Sequence, residues 1–413
     1  MIARAQGVEP LSIDREPPAI GVANRAANRA GGGVAVALLV AIFGSIVPPS
    51  ATATTLKFAF TPVGALATLQ TSNPTLYGNV TEGFTTAGNI WAGYFRDDMT
   101  LNVNIDYPSL GANILGSTNI QTLGYYYADV RAALQFDRTS ADDFLAASNL
   151  PAGPYLSFLT NDWETGVLVV DPINTTNTTD NNTIKHGVLD VPRANAKALG
   201  FTYEGIIAPN DAALDASISF SSDFDWDFDR SDGISSGTFD FVGVAIHEIG
   251  HAMGFLSGVD YVDFFSAPYG YYPLDLDPYR VFTVLDLYRR GARNGGGLDF
   301  AADGTGSDNP YFSLDGGATA LGTFSTGSYN GDGRQASHWK DNLGLGILDP
   351  TFDFGELGIV SALDVRAFDV IGYDLVVEQG AVPEIDPAGI GSALALVLGA
   401  LGMTERRRQQ ASV

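Results

Sequence analysis

Residues 244–255 read Val-Ala-Ile-His-Glu-Ile-Gly-His-Ala-Met-Gly-Phe, which sets His247 and His251 four positions apart with Glu248 between them. That spacing is about one turn of an α-helix, so both imidazoles leave the same face and aim at one point. Neutral imidazole is a favoured zinc ligand, and a glutamate beside the pair can take a proton from water at an open coordination position. The pattern predicts zinc-dependent hydrolysis. The bland alternative is a helix that carries two histidines as a polar edge. Against it stands the apolar run Phe241, Val242, Val244, Ala245 and Ile246, which marks a buried helix where unpaired imidazoles are costly.

A zinc site of this kind needs a third protein ligand. The chain has four histidines, His186, His247, His251 and His338. His186 sits in a mixed polar and apolar stretch well upstream and reads as a structural residue. Asp260, shortly after the helix, offers a carboxylate. His338, in Ala336-Ser337-His338-Trp339-Lys340-Asp341, is the stronger candidate.

The residues His247, Glu248, His251, Gly254 and Phe255, followed far downstream by His338 and Trp339, resemble the leishmanolysin-type metzincin peptidases. Other metzincins place a third histidine three residues after the glycine; Ser257 stands there in this chain. The resemblance implies a zincin catalytic domain with a twisted mixed sheet, an active-site helix and a largely irregular C-terminal subdomain. It also implies zinc on His247, His251 and His338, Glu248 as general base, and a protein or peptide substrate. The family makes a tight methionine turn beneath the metal. Gly346-Ile347-Leu348-Asp349-Pro350 occupies that place here, and Leu348 keeps the volume and apolarity of the expected methionine.

The supporting elements point to an α+β unit. Val80, Phe84, Ala87, Trp91 and Tyr94 recur at helical spacing, whereas residues 101–105 alternate like a strand. Residues 167–170 and 216–220 also have strand character, and residues 174–183 form an Asn- and Thr-rich loop. Asp240 suits the N-cap of the histidine helix. Ser361 to Asp364 makes a capping box for a last helix that Gly372 stops.

Both ends of the chain read as export signals. Arg25 and Arg29 precede an apolar run over residues 34–47, then Pro48-Pro49-Ser50 and Ala51-Thr52-Ala53. The run is shorter than the roughly 20 residues of a membrane span, so residues 1–53 read as a secretory signal cleaved after Ala53. Val382-Pro383-Glu384-Ile385-Asp386-Pro387, an apolar stretch to residue 403 and Arg406, Arg407 and Arg408 resemble a PEP-CTERM-type sorting signal of the VPEID variant. That resemblance implies a sorting enzyme as partner and transient membrane insertion through residues 387–403; a plain tail anchor is the alternative. The expected organisation is residues 1–53 signal, 54–380 catalytic domain and 381–413 sorting segment, with the catalytic part outside the cytoplasm.

Composition narrows the partners. With 47 acidic against 22 basic residues the net charge is −25, which argues against nucleic acid or an anionic membrane surface. There is no cysteine, so an exported domain must rely on packing, hydrogen bonds and metal ions. Asp223, Asp225, Asp227, Asp229 and Asp232, residues 303–308 and residues 330–333 could ligate Ca2+ through hard oxygens. In the first cluster Phe224, Trp226 and Phe228 alternate with the aspartates, the pattern of a half-buried strand with a solvated face. Two other functions fit the motif. One is a surface adhesin or scaffold with a closed, structural zinc site. The other is a zinc hydrolase acting on a non-protein amide of the cell envelope.

Overall fold

The computed structural model describes residues 56–162, 165–171, 187–201, 211–270, 280–303 and 309–376. The expected signal segment, the sorting segment, the 174–183 loop and His186 lie outside these residues. So does most of the 303–308 cluster. Among the described residues no helix is long and apolar enough to cross a membrane. Every element below belongs to the first of two units, Met1–Leu375.

The first half comprises strand β1 (Lys57–Pro62), helices α1 (Gly64–Ser72) and α2 (Pro74–Ala92), and strands β2 (Thr100–Asp106), β3 (Gly116–Ile120) and β4 (Thr122–Tyr126). Helices α3 (Tyr127–Phe136) and α4 (Ala141–Ser148), strands β5 (Phe158–Asn161), β6 (Leu168–Asp171) and β7 (Val188–Pro192), helix α5 (Arg193–Ala198) and strand β8 (Ala216–Phe220) follow. Two short strands, β9 (Trp226–Asp227) and β10 (Phe239–Asp240), lead into α6 (Phe241–Met253) and α7 (Val259–Phe265). The remainder holds four two-residue strands, β11 (Arg289–Arg290), β12 (Leu298–Asp299), β13 (Tyr311–Phe312) and β14 (Gly322–Thr323), and closes on α8 (Ala362–Val370). The fold is α+β with mixed sheets.

The main sheet has the order β1-β2-β8-β3. Strands β1, β2 and β8 run parallel, and β3 pairs antiparallel with β8 at the edge. The helical spacing read in the sequence is realised in α2, where Pro74 occupies the first turn and the Asn73 side chain accepts from the Leu76 N–H. Val80, Phe84, Ala87 and Trp91 are all fully buried. Tyr94 departs from expectation: the helix ends at Ala92 and Tyr94 is 37% exposed, while Phe95 takes the inward place and stacks on Trp91.

Helix α2 packs along α6. Gly83 makes the approach possible, since a Cβ there would come within 2.4 Å of the Phe241 ring. Phe84 and Phe220 close on the same ring, and Trp91 Nε1 donates to the Ile246 carbonyl at 2.9 Å. All 13 residues of α6 are buried, the state of a helix enclosed by a core rather than lying on it.

The second half is less irregular than expected. Its short strands join the β5–β6 hairpin in a six-stranded sheet, order β14-β13-β11-β12-β5-β6. Two-residue strands leave no periodicity to read, so the sheet is held by pairings distant in sequence, such as Leu298 opposite Phe158. Phe224, Trp226 and Phe228 pack inward as the alternation implied, although only Trp226 and Asp227 have strand pairing.

The buried indole couples α2 to α6, so its loss leaves a cavity and removes the hydrogen bond to the Ile246 carbonyl. Trp91→Ala should cost about 3–5 kcal/mol in urea unfolding. Trp91→Phe, which keeps most of the volume, should cost far less; equal losses would contradict the packing described.

Candidate metal centre

Helix α6 places His247 and His251 on one face, and the segment after β14 brings His338 to them. His251 Nε2 lies 3.1 Å from His247 Nε2 and 3.1 Å from His338 Nε2. Among the described residues these three form the one group of histidine, aspartate and glutamate side chains whose ligand atoms gather within 4.8 Å. All three are buried.

The opposite ring nitrogens fix the protons. His247 Nδ1 meets the Ile347 carbonyl at 2.8 Å, His251 Nδ1 the Phe255 carbonyl at 2.7 Å and His338 Nδ1 the Gln335 carbonyl at 3.2 Å. A carbonyl oxygen only accepts, so each Nδ1 carries the proton and each neutral ring presents an Nε2 lone pair. Burial first, and the neighbouring His251 second, push His247 down to about 3. Burial alone pushes His251 down to about 4 and, with both neighbours, drives His338 well below the usual range.

Three facing lone pairs cannot hydrogen-bond to one another. They repel unless a cation sits among them. A tetrahedral ion about 2.0–2.1 Å from each nitrogen would separate the nitrogens by about 3.3 Å, close to the 3.1 Å of the two pairs that include His251. The donor set and its main-chain supports therefore fit a divalent metal ion.

The turns around α6 follow from local chemistry. Asp240 occupies the N-cap position, and its carboxylate accepts from Gly358 N–H and pairs with Arg230, each at 3.0 Å. At the other end Gly254, with φ at +118°, reverses the chain in the left-handed region. Phe255 N–H then reaches the Gly250 carbonyl, and the Phe255 carbonyl is delivered to His251. A Cβ on Gly254 would also strike Asn195.

The turn at Gly346–Pro350 packs against α6. Its Ile347 carbonyl supports His247, and buried Leu348 packs against α6 at Gly250. Asp364, expected only as a capping residue, ties three pieces together: it accepts from Trp339 Nε1 at 2.8 Å, Ile347 N–H at 2.8 Å and Ser361 N–H at 2.7 Å. A Cβ on Gly346 would meet that carboxylate at 2.2 Å, so the close approach requires glycine.

Glu248 points to the edge strand. Thr118 Oγ1, on β3, lies 2.6 Å from Glu248 Oε2, whereas Oε1 is buried with no hydrogen-bond partner among the described residues. A Cβ on Gly116 would come within 2.6 Å of Oε1. Burial pushes the carboxyl up to about 8, with the Thr118 bond pulling the other way. Neither Gly116 nor Thr118 carried a signal in the sequence, because a small residue and a hydroxyl on a short strand are ordinary.

Asp260 is not at the metal position. Its oxygens accept from Ala336 N–H, Ser337 N–H and Ser337 Oγ. Ser257 likewise turns away and donates to Asp286. The Asp223, Asp227 and Asp229 carboxylates accept backbone N–H groups of Gly111, Ser235 and Ser231. Among the described residues they make no grouped cation site.

No protein-family model, no curated protein and no solved structure matches the chain.

The protonation states give opposed pH effects in metal-stripped protein. The histidines' folded values lie below their ordinary 6.5, so the unfolded chain binds more protons in that window and their stability contribution is lost as pH falls. Glu248 is raised from 4.5 to about 8, so its contribution is lost as pH rises through that window. Between about pH 7 and about pH 5 the urea midpoint of His251→Gln should drop less than that of wild type, and that of Glu248→Gln should drop more. Equal changes in all three would contradict these assignments.

Proposed function

We propose that the chain is an extracytoplasmic zinc-dependent endopeptidase of the metzincin type. The observation that carries this reading is the convergence of three Nε2 lone pairs from His247, His251 and His338 beside a glutamate on the same helix. A structural zinc site closes its shell with four protein ligands, whereas a catalytic one uses three and keeps a position open. Asp260, the residue that could have closed it, is committed to the 336–337 backbone. That favours catalysis over a scaffold.

Zinc held by these three nitrogens supplies Lewis acidity and a nucleophile at neutral pH. Glu248 does the proton work. Thr118 holds Oε2, which leaves Oε1 to take a proton from the attacking water and pass it to the departing amine nitrogen.

A peptide is favoured over other amides by the strand that carries Thr118. Strand β3 lies at one edge of its sheet and, among the described residues, pairs with β8 alone. An extended peptide can add to such an edge by main-chain hydrogen bonds, which would lay its amides beside Glu248. Export by residues 1–53 and sorting by residues 381–413 complete the reading.

Glu248→Ala should retain zinc by elemental analysis and lower cleavage of an unfolded protein substrate by at least about 100-fold. Cleavage at the wild-type rate would remove Glu248 from its role. Hydrolysis confined to small non-peptide amides would favour the envelope-amide reading instead.

A further inference from the structure

Helix α6 supplies two ligands within one turn, but the third arrives from a distant stretch, and something must hold that stretch in register. Ser257 and Ser337 are 80 residues apart in sequence, yet the Ser257 N–H donates to Ser337 Oγ at 2.9 Å. Beside this contact, Asp260 Oδ1 accepts the Ala336 N–H at 2.6 Å, and Oδ2 accepts both the Ser337 N–H at 3.1 Å and the Ser337 hydroxyl. One carboxylate thus binds all three donors of the two residues that precede His338. Asp286 fixes the other side of the joint, accepting from Ser257 Oγ at 2.6 Å, Gly258 N–H at 2.8 Å and Thr283 N–H at 2.8 Å. The His338 ring is supported locally by the 3.2 Å contact of Nδ1 with the Gln335 carbonyl, and its own carbonyl accepts the Ser325 N–H at 3.0 Å.

We propose that Asp260 is a positioning residue for the metal: without touching it, the carboxylate sets His338 Nε2 beside the nitrogens of His247 and His251. The proposal rests on the three-histidine metal reading. Because Asp260 opens α7, which follows α6 after a short turn, it transfers the placement of α6 directly to the chain that bears the third ligand. A carboxylate suits this place because an asparagine has a single acceptor oxygen and, in either orientation, would turn its NH2 group toward at least one backbone N–H.

The test uses the purified protein, stripped of metal and reloaded with Co2+, with visible absorption and chelator competition as readouts. Wild type should show a tetrahedral Co2+ spectrum. Asp260→Asn should bind Co2+ about 10–100-fold more weakly, with its spectrum displaced toward that of His338→Ala. Ser337→Ala, which removes one of the three donors, should move both readouts the same way by less. Asp263→Asn is the control, since Asp263 lies on the same helix but holds the Tyr329 and Asn330 N–H groups; it should lose stability and keep the wild-type spectrum and affinity. The proposal is overturned if Asp260→Asn and Ser337→Ala match wild type, or if Asp263→Asn weakens Co2+ as much as Asp260→Asn. Wild-type protein that binds no Co2+ would be a different failure, overturning the metal reading and this proposal together.

Discussion

Each imidazole of the three-histidine cluster gives its Nδ1 proton to a main-chain carbonyl, and much of the molecule is arranged to put those three carbonyls in place. The Phe255 carbonyl depends on the left-handed turn at Gly254. The Ile347 carbonyl depends on a turn whose N–H is held by Asp364. The Gln335 carbonyl belongs to the segment gripped through Asp260. With the protons fixed on the outer nitrogens, the inner ones have lone pairs facing one another inside a low-dielectric core. That is an unfavourable arrangement for the polypeptide alone and a favourable one around a cation.

Burial has a second consequence one residue further along the helix. Among the described residues Glu248 has no cationic side chain as partner; its side chain meets the Thr118 hydroxyl, and it sits beneath a glycine that leaves room for no side chain. Desolvation therefore governs its proton affinity, as it does that of the histidines, but with opposite sign. The same enclosed core holds the three imidazoles neutral and makes the Glu248 carboxyl hold its proton strongly. Helix α2, through Gly83, Phe84 and Trp91, makes that enclosure on the far side of α6.

Helix α6 was legible in the sequence, with both histidines on one face, because helical periodicity and the His-Glu-His spacing coincide within thirteen residues. The last helix was equally readable, since Ser361 and Asp364 form the capping box that their spacing implies. His338 emerged by elimination among four histidines, with Asp260 left as its rival. The structure separates the two, because Asp260 supports the chain next to His338 instead of replacing it. Helix α7 and the two-residue strands were invisible, being too short to establish a period. Thr118 and Gly116 could not be found either: the contact of Thr118 with Glu248 spans 130 positions, and nothing local marks either residue. Residues 1–53 and 381–413 contribute readings from the sequence alone.

X-ray absorption at the zinc edge of the purified protein tests the central claim most directly. The account predicts one zinc per chain with three imidazole nitrogens at about 2.0–2.1 Å and one non-imidazole oxygen completing the shell. Two imidazoles, a fourth protein ligand, or no stoichiometric metal would contradict it.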